Sequence, residues 1–233
     1  MAWTLTADPL RFDEAVRWFA SRIPITEELL EQLSKTARSR AWTVAGVAQL
    51  DVVLLVWDLL RRAIEDGTPF NEFRKAVAPK LLQAWGQRSH RERGGYRIET
   101  LFRTNVQAAY NRGRWVQQTD PVVTRRRPYL MYDALLDSRT TRLCITLNAT
   151  ILLHDDPWWQ SHLPPLHPRC RASLRSLTEA QAARRGLTLV PPSDAPVPGF
   201  GSTPEQESEW QPDFDKYPAE LLELFARKQE DFP

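Results

Sequence analysis

Pro164, Pro165, Leu166, His167, Pro168, Arg169, Cys170 and Arg171 place an imidazole and a thiol, with two residues between them, in a proline-braced turn. The second cysteine, Cys144, follows the polar segment Asp137, Ser138, Arg139, Thr140, Thr141. Thiolates bind zinc at about 2.3 Å and imidazole nitrogens at about 2.0 to 2.1 Å, so Cys144, His167 and Cys170 are candidate ligands of one Zn(II). A closed tetrahedral site needs a fourth donor. His162, His154 and Asp137 could supply it, none at a diagnostic spacing. Two other chemistries fit the same residues: a Cys144–Cys170 disulfide, or two small buried thiols with His167 bonded to a backbone carbonyl. The residue types leave all three open. No activated serine and no spaced carboxylate pair lies nearby, so no catalytic residue is assigned and no cofactor beyond that one zinc is expected.

Charged residues surround the cluster. A guanidinium can hold a carboxylate through two parallel hydrogen bonds, so Asp137, Arg139 and Arg171 are expected to form a buried ion-pair network fixing the turn. Arg103 interrupts an apolar helical stretch and is expected to tie it to the sheet by pairing with Asp133 or Asp137. Arg125, Arg126 and Arg127 precede Pro128 and should be displayed on a loop able to contact phosphates, with Arg88, Arg91, Arg93, Arg97, Arg112 and Arg114 extending that surface. No recognition-helix or RNA-binding signature accompanies them, so any contact with double-stranded DNA is expected to ignore sequence. Trp158, Trp159 and Trp210 lie in proline-rich stretches and are candidates for contact with other proteins.

The elements that must position these groups follow from period and punctuation. Thr26 with Glu27 and Glu28 reads as a helix start, the carboxylates lying at the positive end of the dipole. The spacing of Val44, Val47, Ala48, Leu54, Leu55 and Leu59 predicts a long helix from about Arg40 to Asp66, ended by Gly67. Thr68 should cap the next helix with Pro69 at its first position and Phe70, Phe73, Val77, Leu81 and Trp85 on its buried face, bent or split at Pro79. Gln87 to Gly95 reads as a connection, and Tyr96 to about Gln118 as a further helix stopped by Pro121. Beyond it, Tyr129 to Tyr132 and Thr150 to Leu153 are short β-type runs of a small sheet. Seven prolines between Pro191 and Pro218 exclude continuous helix there, and a last amphipathic helix spans Ala219 to Lys228.

The expectation is an α+β protein. A helical amino-terminal region covers 1–121, a small α+β unit around the Cys/His turn covers 122–190, and a proline-rich acidic tail with a terminal helix covers 191–233. With 233 residues, 42% of them hydrophobic, the chain can bury a sizeable core. Its first ten residues lack the pattern of a secretory signal. Asp51 and Asp58 interrupt the most apolar stretch, and a carboxylate at bilayer depth costs roughly 2.5 to 3.5 kcal/mol, so a buried helix is expected there and no membrane partner. The net charge of +2 hides an asymmetry: ten acidic residues face three basic ones from Asp194 onward, leaving a basic body that suits a polyanion or an acidic protein surface.

The Asp-x-Arg-Thr segment at Asp137 to Thr140, the following Cys144 and the Pro-Pro-x-His-Pro-x-Cys-Arg run at Pro164 to Arg171 resemble the phage Mu F-like head morphogenesis proteins. Ala41 to Gly46, Asp66 to Phe70 and the stretch from Glu14 to Pro24 resemble the amino-terminal part of the same minor head proteins, giving a similar region of about 13–178. The family often reads Asp-x-Arg-Thr-Cys-x-x-Cys, and Thr141 stands here at the first of those cysteines. The resemblance implies a non-enzymatic minor head (capsid) protein of a tailed phage or Mu-like prophage, acting in capsid assembly and located in the virion head, or in the host cytoplasm during assembly. It further implies portal and capsid proteins as partners, proximity to the portal and contact with packaged DNA. Two other functions fit the residues: a metal-dependent nuclease, and a protein-interaction adaptor with no DNA role.

Overall fold

The structure, a computed structural model, describes residues 12–33, 40–86, 94–204 and residue 219. It is α+β, with helices dominating the amino-terminal half and a small antiparallel sheet following. Thr26 caps α2 (Glu27–Gln32) by accepting from Leu29 N, behind α1 (Asp13–Ala20) and β1 (Ile23–Pro24). The helix expected from Arg40 instead begins ten residues later, as α3 (Leu50–Asp66). Its first part is β2 (Ala41–Trp42), paired parallel with β1: Ile23 N donates to Arg40 O and Ile25 N to Trp42 O. The aromatic and β-branched residues Trp42, Thr43 and Val44 suit an extended strand, and Gly46 at φ +72° breaks the helical path.

Gly67 ends α3 in the left-handed conformation, φ +71°, as its position predicts. The next helix, α4 (Phe70–Trp85), starts one residue later than expected, with Pro69 extended at the cap position. Pro79 neither splits nor ends it. Helix α5 (Gly94–Thr119) is the longest among the described residues, and Pro121 opens the short α6 (Pro121–Thr124) beyond it. Among the described residues no helix is long and apolar enough to cross a membrane.

Strand β3 (Tyr129–Asp133) is the middle strand of the sheet, flanked by β4 (Ile151–Leu153) and β5 (Ser173–Leu177), both antiparallel to it. Leu130 lies opposite Leu152 on one side and Ser176 on the other. The third strand, β5, lacked an apolar run that could announce it. Helix α7 (Arg142–Leu147) lies between β3 and β4, α8 (Trp159–His162) precedes the Cys/His turn, and α9 (Glu179–Arg185) follows β5. Thr178 and Gln181 close a reciprocal capping box at the start of α9.

Helix α5 carries residues of two hydrophobic clusters. Ile98 and Ala109 belong with Phe19, Trp57, Leu60 and Phe73 in the helical half, while Trp115 packs with Leu130, Tyr132, Leu147 and Trp159 beside the sheet. Between these contacts α5 covers the outer edge of β5. Gln107 Nε2 and Asn111 Nδ2 both donate to Ala172 O at 3.0 Å, and Gln118 Nε2 donates to Leu174 O at 3.1 Å. Their spacing of four and seven residues puts three amides on one helical face, where they satisfy carbonyls that an edge strand would otherwise leave unpaired.

From Gly186 to Phe200 the segment after α9 runs without helix or strand across the sheet-containing half, as its prolines require, and Gly201 then forms a single bridge with Leu163. Trp158 Nε1 donates to Pro192 O, Val197 N to Leu166 O, and Arg112 Nη2 to Ser202 O. Trp158 and Trp159, read as contact residues, are internal anchors instead: Trp159 is buried and donates to Leu153 O, and Trp158 stacks on His162 at 4.0 Å. Trp210, the tail beyond residue 204, the helix from Ala219 to Lys228, and Arg88, Arg91 and Arg93 lie outside the described residues, Ala219 itself excepted.

Candidate functional site

Thr141 caps α7 by accepting from Cys144 N, which places Cys144 in the first turn of that helix with its sulfur facing the sheet. Tyr132, the fourth residue of β3, brings its hydroxyl to 3.3 Å from Cys144 Sγ. The opposing wall is the turn at 167–170, closed by Cys170 N donating to His167 O. Arg169 sits at its corner in the left-handed region, φ +60°, an uncommon conformation for a residue with a side chain, and its N–H is held by Thr104 Oγ1 of α5.

Two loops 26 residues apart therefore meet. Cys144 Sγ lies 3.2 Å from His167 Nε2 and 3.7 Å from Cys170 Sγ, with no bond between the sulfurs. The ligand atoms of Cys144, His167 and Cys170 all fall within 4.8 Å of one another. A tetrahedral zinc with Zn–S bonds of about 2.3 Å sets two sulfurs roughly 3.8 Å apart, so the cysteine pair has the edge length such an ion needs. His167 Nδ1 bonds Pro168 O at 2.8 Å, which makes Nδ1 the protonated nitrogen and aims Nε2 at the sulfurs, the orientation a zinc-ligating imidazole takes. Thr141 Oγ1 stands 3.0 Å from the same Nε2.

None of the three residues considered for the fourth position joins this group. His162 bonds Asp194 O, His154 bonds Pro128 O, and Asp137 is held by Arg171. The Thr141 hydroxyl, rather than any of these, is the group nearest the imidazole Nε2.

The proton balance follows from these contacts. The hydrogen bond from Cys170, followed by that of His167, pulls the Cys144 thiol well below its ordinary value, against the opposing effect of burial. The same bond to Cys144, then burial, pushes Cys170 up. His167 is raised by Cys144, with burial opposing. Burial pushes the Tyr132 phenol up, so it stays neutral and donates. The shifts run in opposite senses across the pair, favouring the charged form of Cys144 and the neutral form of Cys170, with the His167 imidazole raised beside them.

The ion pairs differ from expectation in depth and partner. Arg171 grips Asp137 through both guanidinium arms, at 2.6 and 2.5 Å, and Asp137 also caps its own turn by accepting from Arg139 N. This network is at the surface rather than buried, and Arg139 reaches Asp137 only at 3.7 Å. Arg171 holds the Asp137 carboxyl well below the usual carboxylate range. Arg103 pairs with Glu99, one helical turn away, instead of Asp133 or Asp137, and Asp133 pairs with Arg175. A local carboxylate four residues back outcompetes a distant one.

The arginine surface is also divided. Arg125 and Arg126 are exposed, but Arg127 is drawn in, donating to Ser176 O and Gln181 Oε1. Arg112 is buried against Pro164 O and Ser202 O, Arg97 lies over the Trp85 ring, and Arg114 bonds Tyr110 OH. The residues sequence reasoning missed are Gln107, Asn111 and Gln118; the signal available was amide side chains sharing one face of α5, opposite the apolar stripe of Ile98, Phe102 and Ala109.

The sequence profile of the family described as Phage Mu protein F like protein matches residues 55–175, which include the whole Cys/His cluster. This chain belongs to that family. It is 32% identical over 189 residues to a protein of Escherichia phage Mu provisionally named capsid assembly protein F, an alignment covering 76% of this chain and 42% of that protein. It is also 34% identical over 173 residues to the Mu-like prophage FluMu F protein of Haemophilus influenzae, covering 71% of this chain and 41% of the relative. The chain therefore spans about two fifths of the length of these relatives. No solved structure matches it.

Proposed function

We propose that this chain is a minor head protein of a tailed phage or Mu-like prophage, acting in capsid assembly near the portal as a structural part and not as a catalyst. The observation that carries the reading is the family match across 55–175, taken with a relative named for capsid assembly. Its partners on this reading are portal and capsid proteins, with sequence-independent contact to packaged double-stranded DNA through the exposed Arg125 and Arg126. It resides in the virion head, and in the host cytoplasm while heads are built. The test is to induce cells carrying the gene, purify heads, and quantify the chain by mass spectrometry beside a strain lacking it. Recovery of the chain with heads, and fewer filled heads without it, are expected. Normal head yield in its absence, with none of the chain in purified particles, overturns the proposal.

A second reading concerns the cluster itself and is favoured by the sulfur separation and the orientation of His167. Cys144, His167 and Cys170 hold one Zn(II), which braces the two loops against each other and supplies structural cross-linking only. Elemental analysis of protein purified without chelators checks it: about one zinc per chain is expected, and none, in protein whose thiols are both reduced, refutes it.

A further inference from the structure

Between α5 and the turn at 167–171 lies an open groove of about 430 Å³. Four arginines from three separate segments line it: Arg103 from α5, Arg139 from the loop before α7, and Arg169 and Arg171 from the Cys/His turn. Among the described residues two carboxylates pair with these four. Glu99 is shared by Arg103 at 2.7 Å and Arg169 at 3.3 Å, and Asp137 by Arg171 at 2.5 Å and Arg139 at 3.7 Å. The groove thus carries a surplus of two positive charges.

The surplus sits on particular groups. Arg171 spends both arms of its guanidinium on Asp137, whereas Arg103 engages Glu99 through Nε, and Arg139 makes only the long contact. Their side chains are 56% and 77% exposed, so both can turn toward a ligand without breaking a buried contact. Tyr96, 61% exposed, stands in the same wall with the Arg169 guanidinium over one face of its ring at 4.6 Å. Planar guanidinium forks match phosphate oxygens in pairs, and an exposed aromatic beside them gives a base a surface to stack on. A carboxylate-bearing peptide would use the arginines but leave the aromatic wall without a counterpart.

We propose that this groove is a phosphate-binding site, with Arg103 and Arg139 as the residues that take the phosphate oxygens. The phosphate comes from a nucleic-acid backbone or from a free phosphate compound, and the experiment separates the two. The site rests on the charge and shape of the groove, so it stands or falls independently of the head-assembly role, and it lies apart from the Arg125 and Arg126 loop.

The test uses the full chain at low salt and fluorescence anisotropy of a labelled ten-nucleotide oligothymidylate. Titration with inorganic phosphate and pyrophosphate, followed by tryptophan emission, forms the second arm. The double variant Arg103→Gln/Arg139→Gln is expected to weaken oligonucleotide binding at least tenfold and to flatten the salt dependence by about 1.4 log units per log unit, roughly 0.7 for each lost phosphate contact. Arg184→Gln/Arg185→Gln, which removes two exposed charges on α9 outside the groove, should change it less than twofold. Tyr96→Ala should weaken the oligonucleotide and leave inorganic phosphate unaffected if nucleic acid is the source; saturation by phosphate or pyrophosphate without oligonucleotide binding assigns the site to a small phosphate compound. Thermal melts of each variant matching the parent confirm that the fold is intact. The proposal is overturned if neither probe binds, if the double variant binds both as tightly as the parent, or if polyglutamate saturates the groove while neither phosphate probe does.

Discussion

Gly113 lies where α5 crosses α1, and replacing it with alanine tests whether the long helix is packed as closely as the structure has it. A methyl group there would lie 2.8 Å from Ala15 N, 2.8 Å from Phe12 Cζ and 3.1 Å from Ala15 Cα. Favourable heavy-atom contacts begin near 3.5 Å, so the overlap is several tenths of an ångström, and two of the three atoms are backbone of a neighbouring helix and cannot rotate away. Overpacking of this kind costs about 1 to 3 kcal/mol. Alanine also returns about 0.5 to 1 kcal/mol of helix propensity relative to glycine. The net expectation for Gly113→Ala is a loss of about 1 to 2 kcal/mol, which lowers the melting temperature by about 2 to 8 °C in a chain of this size. Gly95, in the first turn of the same helix, is the control, because nothing lies within 4 Å of where its methyl would go. Gly95→Ala should be neutral or raise stability by up to about 1 kcal/mol. Circular dichroism at 222 nm during thermal and urea unfolding reads both. A Gly113→Ala variant as stable as the parent, or more so, would show that α1 does not approach α5 as described and refute the reasoning.

Thr141→Cys should add a fourth zinc ligand beside His167 and make zinc harder to strip with a chelator, while costing the metal-free chain about 1 kcal/mol for the weakened cap of α7; unchanged zinc retention would remove Thr141 from the fourth position. Intact mass after alkylation without reductant should show two alkyl groups on chelator-treated protein, and none would mean that Cys144 and Cys170 are bridged. Arg112→Met should destabilise by about 3 kcal/mol, since bonds from a charged donor to Pro164 O and Ser202 O are lost, and should speed proteolytic cleavage within 187–204; unchanged cleavage would mean that another contact holds that segment. Arg171 holds the folded-state pKa of Asp137 below its ordinary 3.8, so the stabilisation is complete above that value and is lost as pH falls through the folded value. The melting temperature of the parent should therefore fall more steeply below about pH 4 than that of Asp137→Asn, and superimposable profiles would count against the pairing.

Much of the site was legible because its signals are short-range. The proline-braced turn, the cysteine count and the Asp-x-Arg-Thr segment single out Cys144, His167, Cys170, Asp137 and Arg171, and the structure brings all five into one neighbourhood. The partners of Arg103 and Arg127 were not legible. An exposed arginine takes whichever acceptor its backbone position brings within reach, and for Arg127 those acceptors, Ser176 and Gln181, lie about fifty residues ahead. The misplacement of α3 has a similar origin. Val44 and Val47 continue its apolar spacing, but Ala41 and Trp42 just before them pair with a strand about twenty residues earlier, and Val47 N closes a turn onto Val44 O, which periodicity does not register.

Helix stops and caps at Gly67, Thr26 and Thr178 are written into the chain itself, because a left-handed residue or a capping hydroxyl acts within three or four positions and needs no distant partner. The α+β composition and the candidate ligands follow from the same local information. Which carbonyls Gln107, Asn111 and Gln118 would satisfy, which polar group stands opposite His167, and that four arginines would face one groove with two carboxylates between them were decided only when α5, β5 and the two loops were brought together. Those outcomes depend on distances between residues far apart along the chain, and packing sets such distances while sequence spacing does not.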